Sequence, residues 1–185
     1  VLALCFLLIG SDLLFKSSVI AGLLGWLTVI LYNGLYTYWW KPKWIFAAIP
    51  GALPGALPVT IGYAANDPRI LNWDSIYLFL ILFLWQMPHF WALAVKYKED
   101  YRLGGVPTLP AALGIHKTML HMGLWTFLYV VVAVGSPWFV HASWVYLLLV
   151  APFSFKVLQE FYRFYQSNGE KRWLAFLMGG NVSLH

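Results

Sequence analysis

Five long apolar runs, separated by short segments rich in charge, proline or glycine, constrain this chain more than any other feature. They cover Ser18–Trp40, Trp44–Ala65, Ser75–Lys96, Thr118–Val134 and Ser143–Phe164. The breaks are Lys41-Pro42-Lys43, Asn66-Asp67-Pro68-Arg69, residues 98–117, Gly135-Ser136-Pro137 and residues 167–172. A helix crosses the hydrocarbon core with about 17–25 apolar residues. In lipid, a spanning segment must bond all of its own backbone groups, which favours helices. Of the 185 residues, 61% are hydrophobic and 10% charged, against about 25% charged in soluble domains. Charges are too few to cover a water-facing surface. An ordinary soluble enzyme and a disordered segment are therefore excluded, and the lone Cys5 excludes a disulfide scaffold. The chain reads as an all-α, polytopic transmembrane helix bundle.

The ends carry shorter apolar stretches, Val1–Gly10 and Trp173–His185, neither long enough to cross. With no charged leader and no cleavage site, the first is not a signal peptide. Both are expected to be cut transmembrane helices, so that 1–185 is one transmembrane domain truncated at both ends.

Alternating helices sort the bases into two sets. One set holds Lys41, Lys43, Lys96, Lys98, Arg102, Lys117, Lys156, Arg163, Lys171 and Arg172, and the other only Lys16 and Arg69. The positive-inside rule makes the first set cytoplasmic, and the inner membrane is the expected location. Trp39, Trp40, Trp44 and Trp173 near one boundary, and Trp73, Trp138 and Trp144 near the other, fit aromatic belts. The net charge of +5 is thus topology information, and no soluble basic face exists to meet nucleic acid.

Four local patterns go beyond topology. Pro50 to Pro58 is a tandem Gly-Ala-Leu-Pro whose prolines and glycines recur every four residues. It reads either as a close-packing helix or as the distorted wall of a cavity. Leu84-Trp85-Gln86-Met87-Pro88-His89-Phe90-Trp91 places a glutamine and a histidine inside a span, where polar groups belong on an interior face. Helical spacing puts Gln86, His89, Lys96 and Asp100 near one stripe; the alternative is a histidine that only braces a neighbouring helix. Lys96-Tyr97-Lys98-Glu99-Asp100-Tyr101-Arg102, followed by Leu103-Gly104-Gly105-Val106-Pro107-Thr108-Leu109-Pro110, embeds two carboxylates among bases at a helix exit. Carboxylates there suit Mg²⁺ shared with substrate phosphates, with Lys and Arg as phosphate clamps; a solvated loop is the other reading. Asn33 and Tyr36 lie within a span above Lys41, either as inter-helix glue or as site lining.

From Tyr36 to about Lys117 the sequence resembles the UbiA-type intramembrane prenyltransferases, and among them the heme O synthase (protoheme IX farnesyltransferase) branch. The resemblance is carried by Tyr36-Thr37 with Lys41, by Pro54 to Gly62, by Leu84-Trp85-Gln86-Met87-Pro88-His89-Phe90, and by Glu99-Asp100-Tyr101 leading to Gly105-Val106-Pro107 and Leu109-Pro110. It implies part of a nine-helix bundle whose cytoplasmic loop 97–117 carries the second Asp motif. It also implies transfer of a farnesyl group from farnesyl diphosphate to a vinyl group of heme B, giving heme O. Asp100 is then the expected catalytic and Mg²⁺-binding carboxylate, shared with a motif outside this window, with Glu99 second. Lys41, Lys43, Lys96, Lys98 and Arg102 are the expected diphosphate ligands. His89 and Gln86, with Asn33 and Tyr36, are expected on the heme side. Terminal oxidase assembly or a heme A synthase is the implied downstream partner. By itself the window is expected to be inactive.

The sequence departs from the family pattern at three places: Gly104 stands four after Asp100, Pro42 follows the lysine, and Thr108 stands where methionine is usual. A prenyltransferase acting on a quinone-precursor ring is the alternative enzyme. A solute carrier or a membrane heme-binding subunit is the alternative from another class. No inverted repeat supports a carrier, and paired histidines across helices are not evident. An Asn/Asp-rich motif upstream would favour the enzyme.

Overall fold

The computed structural model describes residues 2–140, 143–169 and 173–182. Lys171, Arg172 and His141 therefore lie outside the described residues, as does the end of the expected last helix. No strand occurs among the described residues. The helices are α1 Leu2–Ser17, α2 Val19–Val29, a π-helical segment Ile30–Trp40, α3 Lys41–Lys43, α4 Ala48–Asn66, α5 Trp73–Lys96, α6 Lys98–Leu103, α7 Leu109–Leu113, α8 Ile115–Val134, α9 Ser136–Phe139, α10 Trp144–Gln166 and α11 Trp173–Val182. Because α2, the π segment and α3 run on as one rod, Val19–Lys43, five helices are long and apolar enough to cross a membrane. These are the five expected spans.

Their boundaries move for local reasons. The second span starts at Ala48 instead of Trp44, because Trp44 is extended (φ −125°, ψ 126°) and the chain uses Trp44–Ala47 to reverse direction. The fourth starts at Ile115, directly after Gly114 at φ +82°, which breaks the chain between α7 and α8. Asp12 and Lys16, expected in a loop, sit in α1 and pair one turn apart at 2.7 Å.

The bundle is organised around α5, which packs on α4, α7, α8 and α11. Met87, Trp91 and Val95 recur along its buried face and meet Met119 and Met122 of α8, Val157 and Phe164 of α10, and Phe176 and Leu177 of α11. Lipid is as apolar as these side chains, so the helices are held by close packing and inter-helix hydrogen bonds and not by water exclusion. The α4–α5 seam shows both. Ala52 and Ala56 are fully buried, and a Cβ on Gly55 would collide with the Gln86 amide. Gln86 Nε2 donates to the Ala52 carbonyl at 3.3 Å and to Leu82 at 3.1 Å. Pro54 and Pro58 stand inside α4 without ending it.

The loop before α5 is closed by its own polar groups. Asn72 caps α5, its Oδ1 accepting from Ser75 N at 2.9 Å while its Nδ2 meets the Tyr63 hydroxyl. Asp67 accepts from the Arg69 guanidinium at 2.8–3.2 Å and from the Arg69 amide at 2.9 Å. The other end of α5 is looser: the helix stops at Lys96, Tyr97 takes a non-helical conformation (φ −102°, ψ 28°), and α6 follows. Gly105, at φ +66°, then turns the chain back toward α5, a left-handed conformation that side chains other than glycine resist.

Candidate functional site

That turn builds one wall of a cavity of about 180 Å³ at the end of the bundle. Tyr36 of the π segment, Lys41 of α3, Ala47 and Ala48 at the start of α4, Phe90, Trp91, Leu93 and Ala94 of α5, Tyr101 of α6, and Val106 to Leu109 line it. Its composition is two-sided. The Lys41 ammonium, the Tyr36 and Tyr101 phenols and the Thr108 hydroxyl gather polar donors, while Phe90, Trp91, Leu93 and Ile45 supply apolar surface. The Thr108 Oγ1 atom is buried and has no hydrogen-bond partner among the described residues. Such a group costs about 1–3 kcal/mol unless something bonds it. With that atom closed off, the polar lining left to meet a ligand comes from Tyr36, Lys41 and Tyr101.

Tyr36 is fixed from behind. Its ring fills the space where a side chain on Gly51 would stand, with ring carbons 2.5 and 2.8 Å from that position, and it stacks on Tyr32 at 5.5 Å between centroids. The start of α4 thus does form a cavity wall, while Ala52, Gly55 and Ala56 serve close packing. Those wall residues, Ala47 and Ala48, precede the Gly-Ala-Leu-Pro repeat; within Pro50 to Pro58 the close-packing reading holds, and none of its residues lines the cavity.

Neither Glu99 nor Asp100 lines the cavity; both belong to α6, beside the lining residue Tyr101. Asp100 is exposed, and among the described residues its carboxylate makes no ion pair or hydrogen bond. Glu99 accepts from Arg102 Nε at 2.7 Å, both side chains being exposed. Lys96 turns away, its Nζ lying 5.5 Å over the Trp173 ring, and Lys43 and Lys98 do not reach the lining. No group of three or more potential metal-binding side chains occurs among the described residues. A free carboxylate such as that of Asp100 is nonetheless the donor that Mg²⁺ takes when substrate phosphates complete its shell, so the residues present fit a partial site.

The stripe of Gln86, His89, Lys96 and Asp100 does not form. Gln86 points to α4, and the break at Tyr97 takes Asp100 off the α5 helix. His89, stacked on Trp85 at 4.6 Å, lines a separate cavity of about 20 Å³ with Thr126, Tyr129, Val157, Phe176 and Leu177. That is room for about one water molecule, not for a porphyrin. The His89 Nδ1 and Thr126 Oγ1 atoms are buried there without partners. Asn33 is exposed and donates to the Val29 carbonyl of its own helix at 3.2 Å.

Sequence reasoning brings Tyr36 and Lys41 to the cavity but passes over Tyr101, Thr108, Phe90 and Trp91. The signal for the first pair was present: a Gly-Gly turn followed by Val-Pro-Thr-Leu folds the chain back on the helix it has just left.

Five helices of membrane-crossing length, with a cavity of mixed polar and apolar lining at one end, fit a multi-pass membrane protein. The chain matches the UbiA prenyltransferase family over residues 1–183 and belongs to that family. It is 62% identical over 184 residues, its whole length, to the protoheme IX farnesyltransferase of Bdellovibrio bacteriovorus, of which it covers 63%. With protoheme IX farnesyltransferase 1 of Lysinibacillus sphaericus it shares 42% identity over 127 residues, 69% of this chain and 41% of the relative. For the protoheme IX farnesyltransferase of Aliivibrio salmonicida the figures are 31% over 175 residues, 92% of this chain and 59% of the relative. The chain thus spans less than two thirds of the length of these curated relatives. No solved structure matches it.

Proposed function

We propose that the protein to which this chain belongs transfers a farnesyl group from farnesyl diphosphate to a vinyl group of heme B in the membrane, producing heme O. The observation that carries this reading is the mixed lining of the cavity, where Lys41, Tyr36 and Tyr101 occur together with Phe90, Trp91 and Leu93. A prenyl diphosphate has the same two components, polar and apolar. Lys41 supplies a charge-assisted bond to the diphosphate, and Tyr36 and Tyr101 donate to its remaining oxygens. Phe90, Trp91 and Leu93 receive the first isoprene units, and the aromatic faces suit the allylic cation formed when the C–O bond breaks.

Asp100 is the proposed metal-binding carboxylate, together with carboxylates outside these residues. Mg²⁺, when bound, would neutralise charge on the departing diphosphate. Glu99 and Arg102 are placed beside it, and an exposed pair of this kind contributes at most about 1 kcal/mol, so Arg102 can leave Glu99 for phosphate at little cost. Lys43, Lys96 and Lys98 raise the local positive potential without contacting the cavity. The exposed Asn33 is assigned to the heme side, while His89, whose cavity holds about one water, and Gln86, which holds α4 to α5, brace the bundle behind it. The cavity end is taken as cytoplasmic, in the inner membrane, on the distribution of bases. Downstream, a heme A synthase or terminal oxidase assembly would consume the product.

The test is chemical. The complete reading frame, expressed in membranes with heme B, farnesyl diphosphate and Mg²⁺, should yield a hydroxyethylfarnesyl heme detectable by liquid chromatography–mass spectrometry. Asp100→Ala should lower turnover by about 10²-fold or more while insertion and heme binding persist. Product formation undiminished in that variant would remove Asp100 from the mechanism. A farnesylated quinone precursor in place of the heme would change the acceptor.

A further inference from the structure

The side-chain hydrogen bonds along the first spanning rod change register. Thr28, in the α-helical part, donates to Leu24, four residues back, at 2.8 Å, and Thr118 of α8 does the same to Gly114. Thr37, in the π segment, donates to Tyr32, five residues back, also at 2.8 Å. A hydroxyl on a helix in lipid has no water to turn to, so it bonds its own backbone; Asn33, earlier in the π segment, still reaches four residues back to Val29, so the five-residue reach belongs to Thr37. In the same register, the Lys41 amide donates to the Tyr36 carbonyl.

This register decides which side chains align. In an α-helix five residues turn the chain by about 500°, leaving Tyr36 and Lys41 about 140° apart. A ladder bonded five residues back winds more slowly and brings them to within about 50° of each other. Both line the same cavity, and a change to α-helical winding would carry one of them off it. Tyr36 is seated against Gly51 and so cannot follow such a rotation without leaving that seat.

We propose that Thr37 is a positioning residue, whose hydroxyl bond to the Tyr32 carbonyl holds the π-helical register that brings Tyr36 and Lys41 together at the cavity. This rests on the reading that the cavity takes the prenyl diphosphate. Thr37 itself is not among the residues that line the cavity.

The experiment compares Thr37→Val, Thr37→Ser and Lys41→Ala in the complete reading frame, reading KM for farnesyl diphosphate, kcat, and amide hydrogen exchange across residues 30–40. Valine keeps the shape and loses the hydroxyl; serine keeps the hydroxyl. Thr37→Val should raise KM about fivefold, the scale of one hydrogen bond, leave kcat within about twofold, and speed exchange in the π segment. Thr37→Ser should restore all three. An unchanged KM in Thr37→Val beside a raised KM in Lys41→Ala would overturn the proposal, as would a serine variant that behaves like valine. If Lys41→Ala leaves KM unmoved, the diphosphate reading fails instead, and the exchange rates alone decide whether Thr37 holds the ladder.

Discussion

The loop between α4 and α5 and the segment that follows α5 each set a carboxylate close to an arginine, and they use them differently. In the first, Asp67 takes both the guanidinium and the amide of Arg69, and Asn72 and Tyr63 meet each other. In the second, Arg102 binds Glu99 and leaves Asp100 with no partner, while Thr108 keeps a buried hydroxyl unbonded. Both ends of α5 reverse the chain, and both leave a buried hydroxyl unbonded, Ser75 at the first and Thr108 at the second. The difference lies in the carboxylates: Asp67 is held by Arg69, whereas Asp100, next to the lining residue Tyr101, is unpaired among the described residues.

The largest effect should come from removing the charged donor of the cavity. Lys41→Ala should raise KM for farnesyl diphosphate by about 10–100-fold, the loss of one charge-assisted bond, with steady-state assays in membranes as the check. A change below about twofold would make the lysine a topology signal only. A middle-sized effect is expected behind the cavity. Gly55→Ala puts a methyl where the Gln86 amide stands and should cost about 1–3 kcal/mol of stability, read as a lower unfolding temperature in detergent. Gln86→Leu in the same background should recover part of it, since the displaced amide is then gone. The smallest effect belongs to the closed loop. The Arg69 guanidinium and amide hold the Asp67 carboxyl below its usual range. That contribution is complete above the ordinary carboxylate pKa and disappears as pH falls through the depressed one. Amide exchange in residues 66–72 should therefore quicken under acid more than intrinsic chemistry predicts, and Asp67→Asn should make it so already at neutral pH. Activity should not follow either change.

The spans were legible because lipid demands runs of a fixed length, and such runs are visible residue by residue. Gly114 and the Trp44 turn moved the ends by only a few positions. The α4–α5 seam was legible in kind, from small residues four apart, but which turn packs and which lines a cavity depends on what Tyr36 and Gln86 place opposite. The alignment of Tyr36 with Lys41 was not legible. Nothing in Ile30–Trp40 marks a ladder five residues wide, and ordinary helical spacing would send the two side chains to different faces. The stripe through Gln86, His89, Lys96 and Asp100 failed for the complementary reason: helical spacing holds only while the helix continues, and at Tyr97 it does not.

The central claim is that the cavity end of the bundle holds a prenyl diphosphate through Tyr36 and Lys41. Equilibrium binding of a non-ionisable farnesyl diphosphate analogue to the complete reading frame, wild type against Tyr36→Phe/Lys41→Ala, tests it without requiring turnover. The account predicts at least about a tenfold loss of affinity in the double variant, with farnesol binding little changed. Equal affinity for the analogue in both proteins would contradict it and send the diphosphate elsewhere in the bundle.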